Sequence, residues 1–183
     1  MTAIHRLILT TTLSAFLLLG FASTASAAIL VLIPGVAGES DVPGYDGWFV
    51  ADSFSFGIER EMKESGEKGG TADLNIGIGE LQECTISKSM DAASGLLAQY
   101  AINGNSLGTA EIHIVDLSGG KPVVTARYKL ERAFVKSWST SGDADDRPTE
   151  EVAFYYNKIA FDYSPVGSAA SSGGWDLTRN IGY

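Results

Sequence analysis

The chain has 183 residues, 45% hydrophobic and 19% charged, with a formal net charge of −9 and a sequence pI near 4.6. That length supports one domain with a substantial core, and the acidity argues against nucleic acid, whose binders need basic patches to displace counterions. A single cysteine, Cys84, rules out an intrachain disulfide and reads as a buried, inert thiol.

The first residues read as a cleavable signal peptide spanning 1–27. His5 and Arg6 form a weakly basic start, and Leu7 to Phe21 is an uncharged, mostly apolar run. Ala25-Ser26-Ala27 then places small residues where a signal peptidase reads them, so cleavage is expected between Ala27 and Ala28. The apolar run is too short for a comfortable membrane span. The expected product, residues 28–183, is secreted or periplasmic, forms one domain and keeps no stable insertion in the membrane. Cleavage removes Arg6 and no acid, so the charge moves from −9 to −10.

Ala28 to Ile33 is a short continuous apolar run ending at Pro34-Gly35, as expected of a strand buried on both faces. A turn-rich connection follows to Gly44. From Gly47 to Ile58 the apolar residues Trp48, Val50, Phe54, Phe56 and Ile58 share even parity, which predicts one strand with a strongly apolar face. Glu59 to Gly70 is charged and glycine-rich with no apolar stripe, and predicts an exposed, mobile loop. Thr71 to Leu81 alternates again, with Leu74, Ile76 and Ile78 on one face.

After Thr85-Ile86-Ser87 comes the one good helix candidate. Ser89 is its expected cap, Asp91 suits the first-turn dipole, and Ala93, Leu96, Leu97, Tyr100 and Ala101 form its stripe. Asn103-Gly104 should end it. Thr109 to Leu117 predicts a strand with Ala110, Ile112 and Ile114 on one face. Val166 to Gly174 is small and Gly/Ser-rich, a loop or tether, and Trp175 to Asn180 predicts a last short strand.

Between these lies the most informative stretch, Lys121 to Ser164. Two long runs rich in Val, Ile, Phe, Tyr and Thr flank the polar break STSGDADDRP, a hairpin signal with an extended loop. In the first run Val124, Ala126, Tyr128 and Leu130 share a face, but after Arg132 the apolar residues Ala133 and Val135 change parity. In the second, Val152, Phe154 and Tyr156 lead, and beyond Asn157 the set becomes Ile159, Phe161 and Tyr163. If Trp138 lies near Thr149, the two shifts fall roughly opposite each other. A period of two cannot change phase without a bulge, a bend or a new covering element. One long hairpin that bends and changes partners halfway is therefore expected, with two shorter strands on each side as the alternative. The fold class is mainly β: a compact β-barrel or two-sheet sandwich with a long bent hairpin and one flanking helix.

Catalytic chemistry is hard to find. Beyond the leader the only histidine is His113, set in a strand among Ile112, Ile114 and Val115, where a hydrogen-bonded structural role is commoner than a base. No nucleophile elbow, HExxH, CxxC or Walker A pattern occurs. Gly77-x-Gly79 sits within a strand pattern and is followed by Glu80, not by a glycine that opens a helix. Asp143, Asp145 and Asp146 have the carboxylate density of a calcium loop but not its twelve-residue pattern, and read as a solvated turn. The expectation is an exported acidic β-domain with no catalytic residue, no cofactor and no metal.

The order of these blocks resembles the Hcp family, the tube proteins of type VI secretion systems. The resemblance is carried by ILVLIPGVAGES with its Gly38-Glu39-Ser40, by GWFVADSFSFG, and by ISKSMDAASGLLAQYAINGN. The long hairpin and the tail GGWDLTRN, with Trp175, Asp176 and Asn180, complete it over residues 29–180. It implies a β-barrel with one helix that assembles as a homo-oligomer, a hexameric ring with a wide lumen. Rings stack into tubes or carry small effector proteins in the pore, without catalytic residues or cofactor. Glu59–Gly70 would correspond by position to the loop that bridges rings. Ala133, Val135, Ile159, Phe161 and Tyr163 are then candidates for a second apolar face, turned to the helix or to a neighbouring subunit. Tube-building members lack a cleavable signal, so the leader points to an exported ring with a structural or carrier role. Two alternatives stand beside it. One is a conventional cytoplasmic tube component whose leader is not cleaved. The other is a monomeric extracellular binding module or enzyme reusing the fold.

Overall fold

A computed structural model describes residues 27–64, 74–144, 146–165 and 167–183, with backbone alone for 63–64 and 74–78. Strand β1 (Ala27–Leu32) pairs on one side with β2 (Phe49–Ala51) and on the other with β7 (Gly108–Asp116), both antiparallel. Its two faces enter two cores. Val31 and Ile33 join the main one, while Leu30 joins a smaller cluster with Val42, Tyr45 and Val115 under the 36–48 connection. A run covered on both faces has no polar parity to keep, which is why the sequence here is continuously apolar.

The expected single strand from Gly47 to Ile58 is broken. In β2 the buried residues are Phe49 and Ala51, of odd parity, and Val50 is exposed. After Asp52 the chain enters β3 (Ser53–Ser55), which pairs with β6 (Cys84–Ser89), and Phe54 and Phe56 pack on the core. Asp52 donates its N–H to the Ser87 carbonyl at 2.8 Å, so the chain changes sheets at that residue. Glu59 onward, expected as a loop, continues as β4 (Ile58–Glu64), paired with β5 (Leu74–Leu81) in a two-stranded ribbon. The described β4 side chains, Ile58 to Met62, are all exposed, so the strand carries no buried stripe, and that hid it. Residues 65–73 and the facing of Leu74, Ile76 and Ile78 lie outside what is described.

Strand β8 (Val123–Ser141) runs 19 residues and joins the parts. Its first half lies between β7 and β10 (Lys158–Tyr163), and its second half pairs with β9 (Thr149–Tyr155). The change comes at Arg132, whose φ is +52°. Gly108 pairs with Ala133 and Thr109 with Glu131, so Arg132 is an extra residue in the ladder, a bulge. The phase change expected there is present: Ala126 and Leu130 are buried before it, Ala133 and Val135 after it. Opposite, Asn157 donates its N–H to the Glu131 carbonyl at 3.0 Å, and the returning strand divides into β9 and β10. The outcome is thus mixed, one continuous bent strand facing two shorter ones. The loop is tighter than expected, since Trp138 pairs with Val152 and Ser141 with Thr149.

Starting from β8 the ladder runs β7, β1, β2, turns the corner to β3, and returns through β6 and β9 to β8. This closes a barrel. From its β8 edge extends a wing of β10, β11 (Ser171–Asp176) and β12 (Ile181–Gly182). The Gly/Ser stretch expected as a tether is therefore partly strand. Aromatic rings take the space its side chains leave empty: a Cβ on Gly173 would lie 2.8 Å from Phe161, and one on Gly174 2.8 Å from Tyr183.

The helix α1 (Ser94–Asn103) lies against β8 and contributes Leu97, with Ala93 at its N-cap, to the main core. Ser89 does not cap it, because Ser89 is still paired with Thr149 in the β6–β9 ladder. The N-cap is Ala93, with no side-chain cap, and the turn ahead of it is braced by Asp91 Oδ1, which accepts the Ala93 N–H at 2.9 Å, and by Ser94 Oγ, which accepts the Asp91 N–H at 2.9 Å. Gly104, at φ +66°, ends the helix and donates to the Tyr100 carbonyl, as its place after Asn103 predicted.

Candidate functional site

The titratable groups inside the subunit are all engaged in holding it together. Lys88, wholly buried, pairs directly with Glu150 across β6 and β9. Its Nζ donates to Glu150 Oε1 at 2.8 Å, Asp91 Oδ1 at 2.7 Å and the Ser89 carbonyl at 2.8 Å, so each ammonium proton has an acceptor. Glu150 also accepts from Ser94 Oγ at 3.0 Å and Trp138 Nε1 at 2.9 Å. Nothing in this cluster is left over to act as nucleophile or base.

Cys84 is likewise closed to chemistry, because burial pushes its thiol up to about 12. Native protein should therefore leave Ellman's reagent uncoloured for hours, and unfolding in guanidinium should release one thiol per chain. Rapid native reaction would contradict the buried placement.

His113 sits on the other face of the barrel wall under Tyr45 and Trp48. Arg127 Nε donates to its Nε2 at 3.0 Å, which leaves Nδ1 to donate to the Tyr45 hydroxyl at 3.3 Å. Burial first, and the Arg127 cation second, lower the imidazole's pKa, with Glu111 opposing them. In the unfolded chain the group returns to its ordinary value of about 6.5. Below that value the unfolded state binds a proton that the native state refuses, so stability falls as pH drops from about 6.5. His113→Gln should flatten this part of the pH–stability curve measured by urea unfolding. An unchanged slope would mean that other groups set it.

The short blocks singled out in the sequence have physical reasons. Gly38 lies against Phe49, where an added Cβ would be 2.2 Å from Phe49 Cβ and 2.5 Å from its Cα. Glu39 accepts the Ala92 N–H at 3.1 Å, ahead of α1, and faces Arg147 at 3.5 Å. Ser40 Oγ accepts the Val42 N–H at 3.3 Å and shapes the connection over the second core. At the other end, Asp176 Oδ1 accepts from the Thr178 and Arg179 N–H groups at 2.9 and 3.2 Å. These bonds, led by the Thr178 hydroxyl, bring its carboxyl down to about 2. Asn180 follows at φ +56°, a backbone region asparagine tolerates, and Trp175 is partly exposed.

The candidate second face divides. Ala133, Val135 and Ile159 belong to the subunit's own core, at 0, 5 and 1% exposure, and so cannot meet a neighbour. The Arg132 bulge turns the first two inward, and the β9–β10 break does the same for Ile159. Phe161 and Tyr163, farther out on β10, are exposed. Phe161 borders a groove of about 730 Å³ between the wing and the β4–β5 ribbon, floored by Phe56, Leu81 and Ile159 and walled also by Ile58, Trp175 and Tyr183. Of its lining, Ile58 and Tyr183 are exposed at 64 and 63%, and Met62 and Ile181 are exposed at 62 and 50% elsewhere on β4 and β12. Sequence reading placed Ile58 on an apolar strand face, but it missed Met62, which lies in the stretch taken as a loop, and Ile181 and Tyr183, which follow the last predicted strand ending at Asn180.

Among the described residues no three His, Cys, Asp or Glu side chains come together to hold a metal, and Asp145 lies outside them. No helix among them is long and apolar enough to cross a membrane.

Comparison with known proteins gives concordant results. The chain matches an available structure titled as a type six secretion system protein with a TM-score of 0.78 and 26% identity, over 86% of this chain and all of that one. Hcp1 from Salmonella typhimurium superposes with a TM-score of 0.71 at 19% identity, over 86 and 99% of the two chains. A type VI secretion system effector from Yersinia pestis gives 0.66 at 17%, over 81 and 98%. At those lower identities the likeness is one of fold. No curated protein sequence matches. The family profile described as type VI secretion system effector, Hcp, matches residues 31–163. With a fold that superposes on such proteins over most of its length, and a profile matching residues 31–163, the chain belongs to the Hcp family of structural, non-enzymatic type VI secretion tube proteins.

Proposed function

We propose that the chain is exported, loses residues 1–27 and assembles as a hexameric ring with a structural or carrier role in the periplasm or outside the cell. The observation that carries the assembly claim is the apolar groove, whose lining exposes Ile58, Phe161, Trp175 and Tyr183 on an acidic chain, with Met62, Tyr163 and Ile181 exposed on the strands that supply it. A patch of this kind marks an interaction site on a soluble protein. A cyclic ring uses two different patches, one received by the other. The groove serves as the receiving half, and Phe161 and Tyr163 are the members of the sequence-derived set that remain free to take part. Rings that stack would form a tube, and single rings would carry small effector proteins in the lumen.

Light scattering and negative-stain images of residues 28–183 test this reading. Rings are expected, and Tyr163→Asp and Ile58→Asp, at positions 52 and 64% exposed, should dissociate them. Melting of either variant should move by no more than about 0.5 kcal/mol. A monodisperse monomer at high concentration would sink the assembly claim. Family membership favours a second reading, an ordinary cytoplasmic tube component, and N-terminal sequencing separates the two. Ala28 at the N-terminus in the exported fraction supports export, whereas Met1 in the cytoplasm supports the second reading.

A further inference from the structure

The bond expected to be cleaved lies inside the fold. Strand β1 starts at Ala27, and its ladder with β7 pairs Ala27 with Asp116 and Ala28 with Val115. One residue on, Ile29 is held from both sides, by Ile114 of β7 and Ala51 of β2. Ala28 packs on the small core of Leu30, Val42, Tyr45 and Val115, and Leu30 and Val31 are wholly buried. A processing protease takes its substrate as an extended strand whose backbone groups are free to pair with the enzyme. On the C-terminal side of this bond those groups are committed to the sheet. Freeing β1 would break two ladders and uncover two cores, an opening close to global unfolding.

We infer that β1 is a commitment point: once it docks, the Ala27–Ala28 bond is locked, and a chain that folds with its leader attached keeps it. The inference rests on the export reading above. Synthesis leaves an interval before docking, since Val115 lies 87 positions after Ala28. At about 5–20 residues per second, β1 waits roughly 4–17 s for its β7 partner. Cleavage within that interval gives the mature chain. Folding first gives a precursor that export and processing no longer reach. The two products form separate pools, and precursor passes to the mature pool only through unfolding, so one chain can carry both a leader and the fold of a tube protein.

The test uses the full 183-residue chain and detergent-solubilised bacterial signal peptidase. Present during cell-free synthesis, the enzyme should yield a product beginning at Ala28. Added after folding, it should cut at least about 100-fold more slowly, because cleavage then waits on the open state. A precursor with Gly-Ser-Gly-Ser-Gly inserted after Ala27 moves the bond out of the ladder, and its folded form should be cut at the rate of the nascent chain. Equal cutting of folded and nascent precursor overturns the inference, as does a folded spacer variant that stays resistant. A nascent chain left uncut refutes the export reading itself, and this inference with it.

Discussion

Gly38→Ala is expected to cost about 3 kcal/mol or more, the upper part of the range for overpacking a core. A single methyl group would lie 2.2 Å from Phe49 Cβ, 2.5 Å from its Cα and 2.6 Å from its nitrogen. Two of those three atoms are backbone, so no rotamer change in Phe49 relieves the clash. Phe49 is wholly buried at the start of β2, and β2 holds β1 on one side. Relief must therefore come from moving the 36–48 connection, which covers the second core, and Gly38 also donates its N–H to the Gly47 carbonyl at 3.0 Å. At about 2–4 °C per kcal/mol for a chain of this size, the midpoint should drop by roughly 6–12 °C. A melting curve within a degree of the parent would show that the strand and the connection can separate freely.

The second large effect belongs to the buried pair. Glu150→Ala should destabilise by about 3 kcal/mol, because it removes one of the two carboxylates that hold an ammonium in a place water does not reach and leaves it with Asp91 alone. Both side chains are fully buried, and the substitution would orphan the Trp138 indole N–H as well. The pair itself contributes much less than its breakage costs, since two charges had to leave water to form it. The double replacement Lys88→Met with Glu150→Leu should therefore recover most of the loss. A double variant as unstable as Glu150→Ala alone would mean that Asp91 and Ser94, which also bond this cluster, depend on the charges to hold the start of α1.

How much of this was legible depended on whether the signal was local. The bend at Arg132 could be read because a strand's side chains alternate strictly, and a change of phase betrays a bulge wherever it occurs. The end of α1 could be read from Asn103-Gly104 for a similar reason. By contrast, the strand in Ser171–Asp176 could not be recognised from its own residues. The atoms that fill its glycines belong to Phe161 and Tyr183, and nothing in the glycines points to them. The ribbon residues 59–62 were equally opaque, since side chains that are all exposed leave no alternation to find.

The Lys88–Glu150 pair was legible and passed over. Cys84, Ile86 and Lys88 alternate inward on β6, as Glu150, Val152 and Phe154 do on β9. One charge of each sign on the apolar parity of two strands is a signal that they face one another. In the candidate site the same logic separated the set: parity identified Ala133, Val135 and Ile159 as apolar-facing, but only the barrel's closure shows that this face is interior.

The shared strand β8 has a mechanical consequence. Its first half is stitched to the wing and its second to the far wall of the barrel, so the two bodies are joined by one continuous covalent backbone. Tension applied to the wing has no flexible joint in which to dissipate. It passes through Glu131 and the Arg132 bulge into the ladder that carries Glu150. Such a subunit behaves as a rigid bracket, in which a load received at the rim is borne by the core.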